Sequence, residues 1–235
     1  MRLDKLLANM GYGSRKEVKT ILKQKKVFIN KLMTKDGGTH IDPQADRITV
    51  GEDVVQYQAF IYLMMHKPPG YVSATVDDKE KTVIDLLAAD LKHYNPFPVG
   101  RLDKDTEGLL LLTNNGELGH RLTSPKKDID KVYYARIDGR VTDEDVERFA
   151  KGLTLEDGYR TKLAKLKIIV AGVQSEIEVT ISEGKYHQVK RMFKAVGKKV
   201  TYLKRLKMGS LSLDSSLAIG QYRELTNAEL ASVMR

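Results

Sequence analysis

The chain has 235 residues, 41% of them apolar and 30% charged, with no Trp and no Cys. That length suits one large domain or a small module joined to a medium one, and the missing cysteines exclude disulfides, thiolate-bound zinc and a thiol nucleophile. The net charge of +9 is concentrated: residues 1–35 hold ten Lys/Arg against Asp4 and Glu17, and residues 184–213 hold nine Lys/Arg and no acid.

Two local basic zones point to a polyanion, and nucleic acid is the expected partner. Solvated surface lysine is the bland alternative. The N-terminal stretch MRLDKLLANMGYGSRKE carries charge in its first turn and lacks the apolar run of a signal peptide. No segment approaches 18 apolar residues. The expected setting is therefore the cytoplasm.

Residues 1–57 read as a small module. In RLDKLLANM, Leu3, Leu6, Leu7 and Met10 recur at helical spacing and Gly11 ends the run. A second helix opens at Ser14 with Glu17 three residues on. In this capping box each side chain reaches an otherwise unpaired backbone N–H. Val18, Ile21 and Leu22 form its buried stripe, while Arg15, Lys19, Lys23 and Lys26 recur on another face, suited to phosphates. VFIN is expected as a strand, followed by a Gly37-Gly38 turn and a second strand, RITV. A seam falls between Gly51 and Gln58.

Residues 58–235 read as a second domain. AFIYLMMHKPPGYVSA gives an apolar strand broken at Pro68-Pro69-Gly70, VIDLLAADL an amphipathic helix, and GLLLLT a buried strand closed by an Asn114-Asn115-Gly116 turn. ELGHRLTSP is a short helix and KVYYARIDGRV a strand. TDEDVERFAKGL is a helix capped by Thr142 and ended by Gly152. SEIEVTISEG alternates as a half-buried strand. KYHQVKRMFKAVG is a helix with Val189, Met192, Phe193 and Val196 facing in, and VTYLKRLKMGSLSL returns as strand. The expected class is α+β: a small αα-β module, then a mixed, mainly antiparallel sheet.

Nucleotide loops of the GxGxxG and GxxxxGK[ST] types are missing, as is a GxSxG elbow. The five His residues (40, 66, 93, 120, 187) show no metal-ligand spacing. No cofactor and no metal are expected, so chemistry would fall to carboxylates, tyrosines, lysines and arginines.

The stretch FPVGRLDKDTEGLLLLTNNGE places Arg101, Asp103, Lys104, Asp105 and Glu107 on the threshold of an apolar run. Either this is a charged loop and nothing more, or it presents a carboxylate at a pocket mouth. Asp105 reads as a turn former. Asp103 follows a stiff Pro-Val-Gly approach with Arg101 beside it, the way a functional carboxylate is positioned.

VGRLDKDTEGLLLLTNNGEL resembles the central motif of the RNA pseudouridine synthases, the RsuA-type, small-subunit ribosomal RNA branch in particular. The resemblance implies Asp103 as the catalytic residue. HKPPGYVSAT is similar to the family's first motif, which places Lys67 at the substrate. KVYYARI selects Tyr133 rather than Tyr134, and EGKYHQVKRM selects Lys190 as the cation paired with the Asp. Many relatives outside the branch carry Arg there, so the bidentate fork is lost. RLKMGSLSL implies Leu206 as pocket lining. The N-terminal module resembles the RNA-binding domain of ribosomal protein S4, with Arg2, Arg15, Lys16, Lys19 and Lys23 as RNA contacts, joined by Arg191 of the second basic zone. Together the five motifs span nearly the whole chain.

The implied reaction converts uridine to pseudouridine in ribosomal RNA. It needs a carboxylate toward the uridine, a cation to keep that carboxylate ionised and oriented, and an aromatic against the base. At about 4 Å such an ion pair has roughly 4 kcal/mol of raw Coulomb energy at an effective dielectric of about 20, before desolvation is subtracted. The base must also leave its stack, at a few kcal/mol. Tyr133 could instead pack across strands, Lys190 could be solvated helix surface, and His187 reads as structural. Arg101 could organise the loop or hold a phosphate. A large-subunit enzyme of the same branch and a non-catalytic ribosome-binding protein are the alternatives. A monomer is expected.

Overall fold

The computed structural model describes residues 1–24 and 26–234, and the chain divides into two compact units. The first comprises 1–61 with 87–96, the second 62–86 with 97–235.

In the first unit, α1 (Leu3–Asn9) and α2 (Arg15–Gln24) precede four short strands, β1 (Val27–Ile29), β2 (Leu32–Thr34), β3 (Ile48–Val50) and β4 (Asp53–Val55), paired antiparallel in the order β2-β1-β3-β4. The capping box forms: the Ser14 N–H donates to Glu17 Oε2 at 2.7 Å, and the Glu17 N–H donates to Ser14 Oγ at 3.4 Å. Leu3, Leu6, Leu7, Val18, Leu22, Val27, Ile41, Ile48 and Val50 make the core. Fully burying one such side chain contributes about 1.5–3 kcal/mol, which is how so small a unit holds together. Lys26 lies beyond the end of α2, so the helical row of cations stops at Lys23.

Two hairpins differ from the expectation. The chain reverses at Asn30-Lys31, both at positive φ (50° and 72°), and makes β2 before it reaches Gly37. Asn tolerates this conformation because its short polar side chain bonds locally, and here Asn30 pairs with Asp46 and with the Arg47 N–H. The expected seam at Gly51 begins as the β3–β4 turn. The amphipathic helix expected over 83–91 is two pieces, a 3₁₀ turn at Val83–Leu86 and α3 (Ala89–Lys92), assigned to different units. Ala88 between them is extended (φ −62°, ψ 154°).

The second unit is built on one large sheet. Its strands are β5 (Tyr62–Lys67), β6 (Phe97–Val99), β7 (Glu107–Thr113), β8 (Lys131–Asp138), β9 (Lys165–Val170), β10 (Gln174–Ile181), β11 (Lys199–Met208), β12 (Leu211–Ser212) and β13 (Tyr222–Glu224). The main order is β13-β5-β7-β11-β8-β10-β9, with β6 on β7 and β12 on β11. Every pairing is antiparallel except β7 with β11. At that junction Gly108 faces Arg205, and a Cβ on Gly108 would lie 2.3 Å from the Arg205 carbonyl oxygen. Only glycine permits the two strands to approach there.

Helices α4 (Gly116–Thr123), α5 (Asp143–Lys151), α6 (Gln188–Ala195) and α7 (Asn227–Met234) complete the unit. Asn115 caps α4 by accepting from the Leu118 N–H at 3.1 Å, so the expected turn doubles as a helix start. Every residue of β7 is buried, and Leu109 and Leu111 pack with Val99, Leu118, Leu122 and Met208. Among the described residues no helix is long and apolar enough to cross a membrane.

Candidate active site

The loop between β6 and β7 turns at Gly100 (φ 72°) and is fixed from below by the hairpin after β5. The Ser73 hydroxyl donates to the Leu102 carbonyl at 3.0 Å and accepts from the Leu102 N–H at 3.1 Å. The Gly70 N–H donates to Lys104 O at 2.7 Å, and the Thr106 N–H closes a turn onto Asp103 O at 3.0 Å. The ammonium of Lys67 donates to the carbonyls of Pro68, Asp103, Lys104 and Thr106 at 2.9–3.3 Å.

Lys67, which the motif resemblance implies at the substrate, sits beneath the loop with its ammonium on these carbonyls. It is 0% exposed, and its charge is directed at backbone oxygens beneath the loop. Burial lowers its pKa to about 8, against the pull of Asp105 and Asp103.

Asp103 is held on the loop's outer side. Lys190, from the first turn of α6, sits 3.0 Å from Asp103 Oδ2 and 2.6 Å from Asp105 Oδ1. Burial opposes the Lys190 charge, but the hydrogen bonds to Asp105 and Asp103 outweigh it and raise its pKa. Burial likewise opposes the Asp105 charge, and Lys190 overrides it, lowering that pKa. Asp105 is thus more than a turn former: one ammonium bridges two carboxylates. His187 Nε2 lies 3.7 Å from Asp103 Oδ1.

A cavity beside the carboxylate is lined by Arg101, Asp103, Tyr133, His187 and Leu203, among others. Tyr133 is 8% exposed and reaches it from β8. Leu206 is half-buried on β11, whereas Leu203 of the same strand lines the cavity. A larger hollow of about 460 Å³ between α5 and β9 is walled by Val146, Ala150, Leu163, Ala164, Leu166 and Lys165, and offers no acid.

A second buried cluster underlies the start of β7. Glu107, 5% exposed, accepts from His66 Nε2 at 2.8 Å, the Tyr202 hydroxyl at 2.8 Å and Lys204 Nζ at 3.0 Å. Burial would raise its pKa, and these three partners, Lys204 foremost, lower it. Only the odd placement of an acid at the head of an apolar run signals this in the sequence.

The remaining expected contacts are dispersed. Arg15, Lys16, Lys19 and Lys23 are exposed on α2. Arg2 is half-exposed and pairs with the buried Asp4 at 2.7 Å, and Arg191 pairs with Asp157 at 2.6 Å. The described residues contain no group of three His, Cys, Asp or Glu arranged to hold a metal ion.

Comparison with known proteins supplies the context. The family model described as RNA pseudouridylate synthase matches residues 61–195, and the S4 domain model matches residues 1–48. The chain is 54% identical to the uncharacterized RNA pseudouridine synthase YtzG of Bacillus subtilis (strain 168), covering 98% of this chain and 97% of that one. It is 38% identical to ribosomal small subunit pseudouridine synthase A of Escherichia coli (strain K12), over the full length of both. A solved structure titled "Crystal structure of pseudouridylate synthase" superposes with a TM-score of 0.70 at 36% identity, covering 99% of each chain.

Proposed function

Because this chain belongs to the RNA pseudouridylate synthase family and carries an S4 domain, we propose that it isomerises a specific uridine of small-subunit ribosomal RNA, with Asp103 as its catalytic carboxylate. One observation carries the assignment of the residue: Asp103 is the acid that both lines the cavity and pairs with Lys190.

In this reading the C1′–N1 bond of the bound uridine breaks, the base turns while held, a C1′–C5 bond forms, and the C5 proton leaves while N1 gains a proton from solvent. Asp103 acts on the uridine, Lys190 orients it, and Tyr133 lies against the base. Arg101 contacts the displaced nucleotide from the exposed rim of the same cavity. Lys67 acts through the loop as a positioning residue. Residues 1–57 grip the RNA and residues 58–235 carry the chemistry. The rearrangement consumes no redox equivalent, metal or nucleotide, so the reading includes no cofactor. It also includes a cytoplasmic monomer.

The small-subunit assignment is supported by likeness to enzymes of that name at 38–40% identity over the full chain. Tritium release from 5-tritiated uridine tests it, with a small-subunit transcript, a partly assembled small subunit and a large-subunit transcript as substrates. Release from either small-subunit form alone is the expected result. Release from the large-subunit transcript alone would overturn the assignment. Tight binding without release from any of the three would favour a non-catalytic ribosome-binding role.

A further inference from the structure

Tyr186 is the most exposed aromatic side chain among the described residues, at 77%. Its ring is stacked on His187, with centroids 3.8 Å apart and planes 18° from parallel. His187 Nε2 also lies 3.7 Å from Asp103 Oδ1. The imidazole thus neighbours both the carboxylate and a phenol ring presented to solvent.

The segment holding this pair is rigidly tied. His187 stands at φ 48° and ψ 34°, a left-handed conformation that costs a non-glycine residue energy and persists only where its surroundings impose it. Glu183, 9% exposed, imposes it by accepting from the Tyr159 hydroxyl at 2.6 Å, the Lys162 N–H at 3.0 Å and the Gln188 side chain. Gln188 in turn accepts from the Lys185 N–H at 2.7 Å. Lys185 and Lys190 flank the stacked pair along the chain. A fixed, exposed aromatic face, stacked on a histidine that neighbours the carboxylate, matches the way proteins hold unstacked nucleotides.

We infer that the Tyr186–His187 stack is a base-binding platform for one nucleotide adjacent to the target uridine, so that Tyr186 helps keep the RNA open while the uridine occupies the cavity. The inference rests on the reading that RNA enters at Asp103. A stacked base is worth about 1–3 kcal/mol, or roughly 5- to 150-fold in affinity. The platform should act on RNA capture, and so on KM more than kcat.

The chain has no tryptophan, so Tyr186→Trp installs a lone fluorophore on the platform. In an Asp103→Asn background it is titrated with the small-subunit transcript, and binding is followed in parallel by filter retention. Heparin serves as a polyanion without bases. The expected result is quenching that saturates with RNA binding and is absent with heparin. With Asp103 intact, Tyr186→Ala should raise KM for tritium release at least about 5-fold, and Tyr186→Phe should restore it. RNA bound with unchanged emission, or parental KM in Tyr186→Ala, would overturn the platform while leaving the proposed reaction standing. Quenching together with no tritium release by the parent protein on any RNA would fault the reaction and leave the platform.

Discussion

Lys67 shows what one buried charge does for a functional loop. Its ammonium binds four carbonyls around the Asp103 turn, so the loop is shaped by a cation beneath it. Its folded pKa, about 8, lies below the ordinary 10.5. The unfolded chain thus holds the proton more tightly, and this group's contribution to stability rises as pH climbs from about 8 toward 10.5. Over the same range the loop loses its charged anchor. The isomerisation rate should therefore fall along an alkaline limb centred near pH 8, with no matching drop in Tm from this residue. Single-turnover rates and melting curves between pH 7 and 10 check this, and a rate that stays flat through pH 9 would contradict it. The sequence made the residue conspicuous but not its direction. Whether Lys67 faces RNA or backbone is decided by carbonyls 36 to 39 positions away in the chain. Asp105 was opaque for the same reason, since its partner Lys190 is 85 residues distant.

At the scale of elements, local chemistry was readable and pairing was not. The α2 capping box, the Gly152 and Gly197 helix ends and the inward stripe of α6 follow from residues within one or two turns of each other. The short strands β2, β9 and β13 carry too little alternation to announce themselves; in β9 only Leu166 is fully buried. Their existence depends on a neighbour already in place. The β7–β11 junction is the most exacting of these pairings. Gly108→Ala combines a φ of 115° with a Cβ 2.3 Å from backbone oxygen, and no side chain can move aside to relieve it. The variant should lose at least about 3 kcal/mol of stability. Chemical denaturation reads this directly, and a loss below about 1 kcal/mol would show that the strands separate easily.

Across the whole molecule, charge divides the labour. The cations of α2 are exposed on the first unit, while the second unit sets Lys190, Lys204 and Arg191 against acids of its own. The basic zones therefore pointed to nucleic acid, with RNA implied only by the family resemblance, yet overstated how much of the second zone is free to meet it. Replacing Arg15, Lys19 and Lys23 together with Gln should weaken RNA binding and flatten its salt dependence, by up to about one slope unit per lost phosphate contact. Filter binding across a salt series measures this. An unchanged slope would remove α2 from the footprint.

The proposed chemistry turns on Asp103. The decisive measurement is single-turnover tritium release from 5-tritiated small-subunit transcript by the parent protein and by Asp103→Asn, with RNA binding recorded for both. Release by the parent, none by Asp103→Asn, and retained binding in each is the predicted result. Release by Asp103→Asn at the parental rate would contradict it and move the chemistry to another residue.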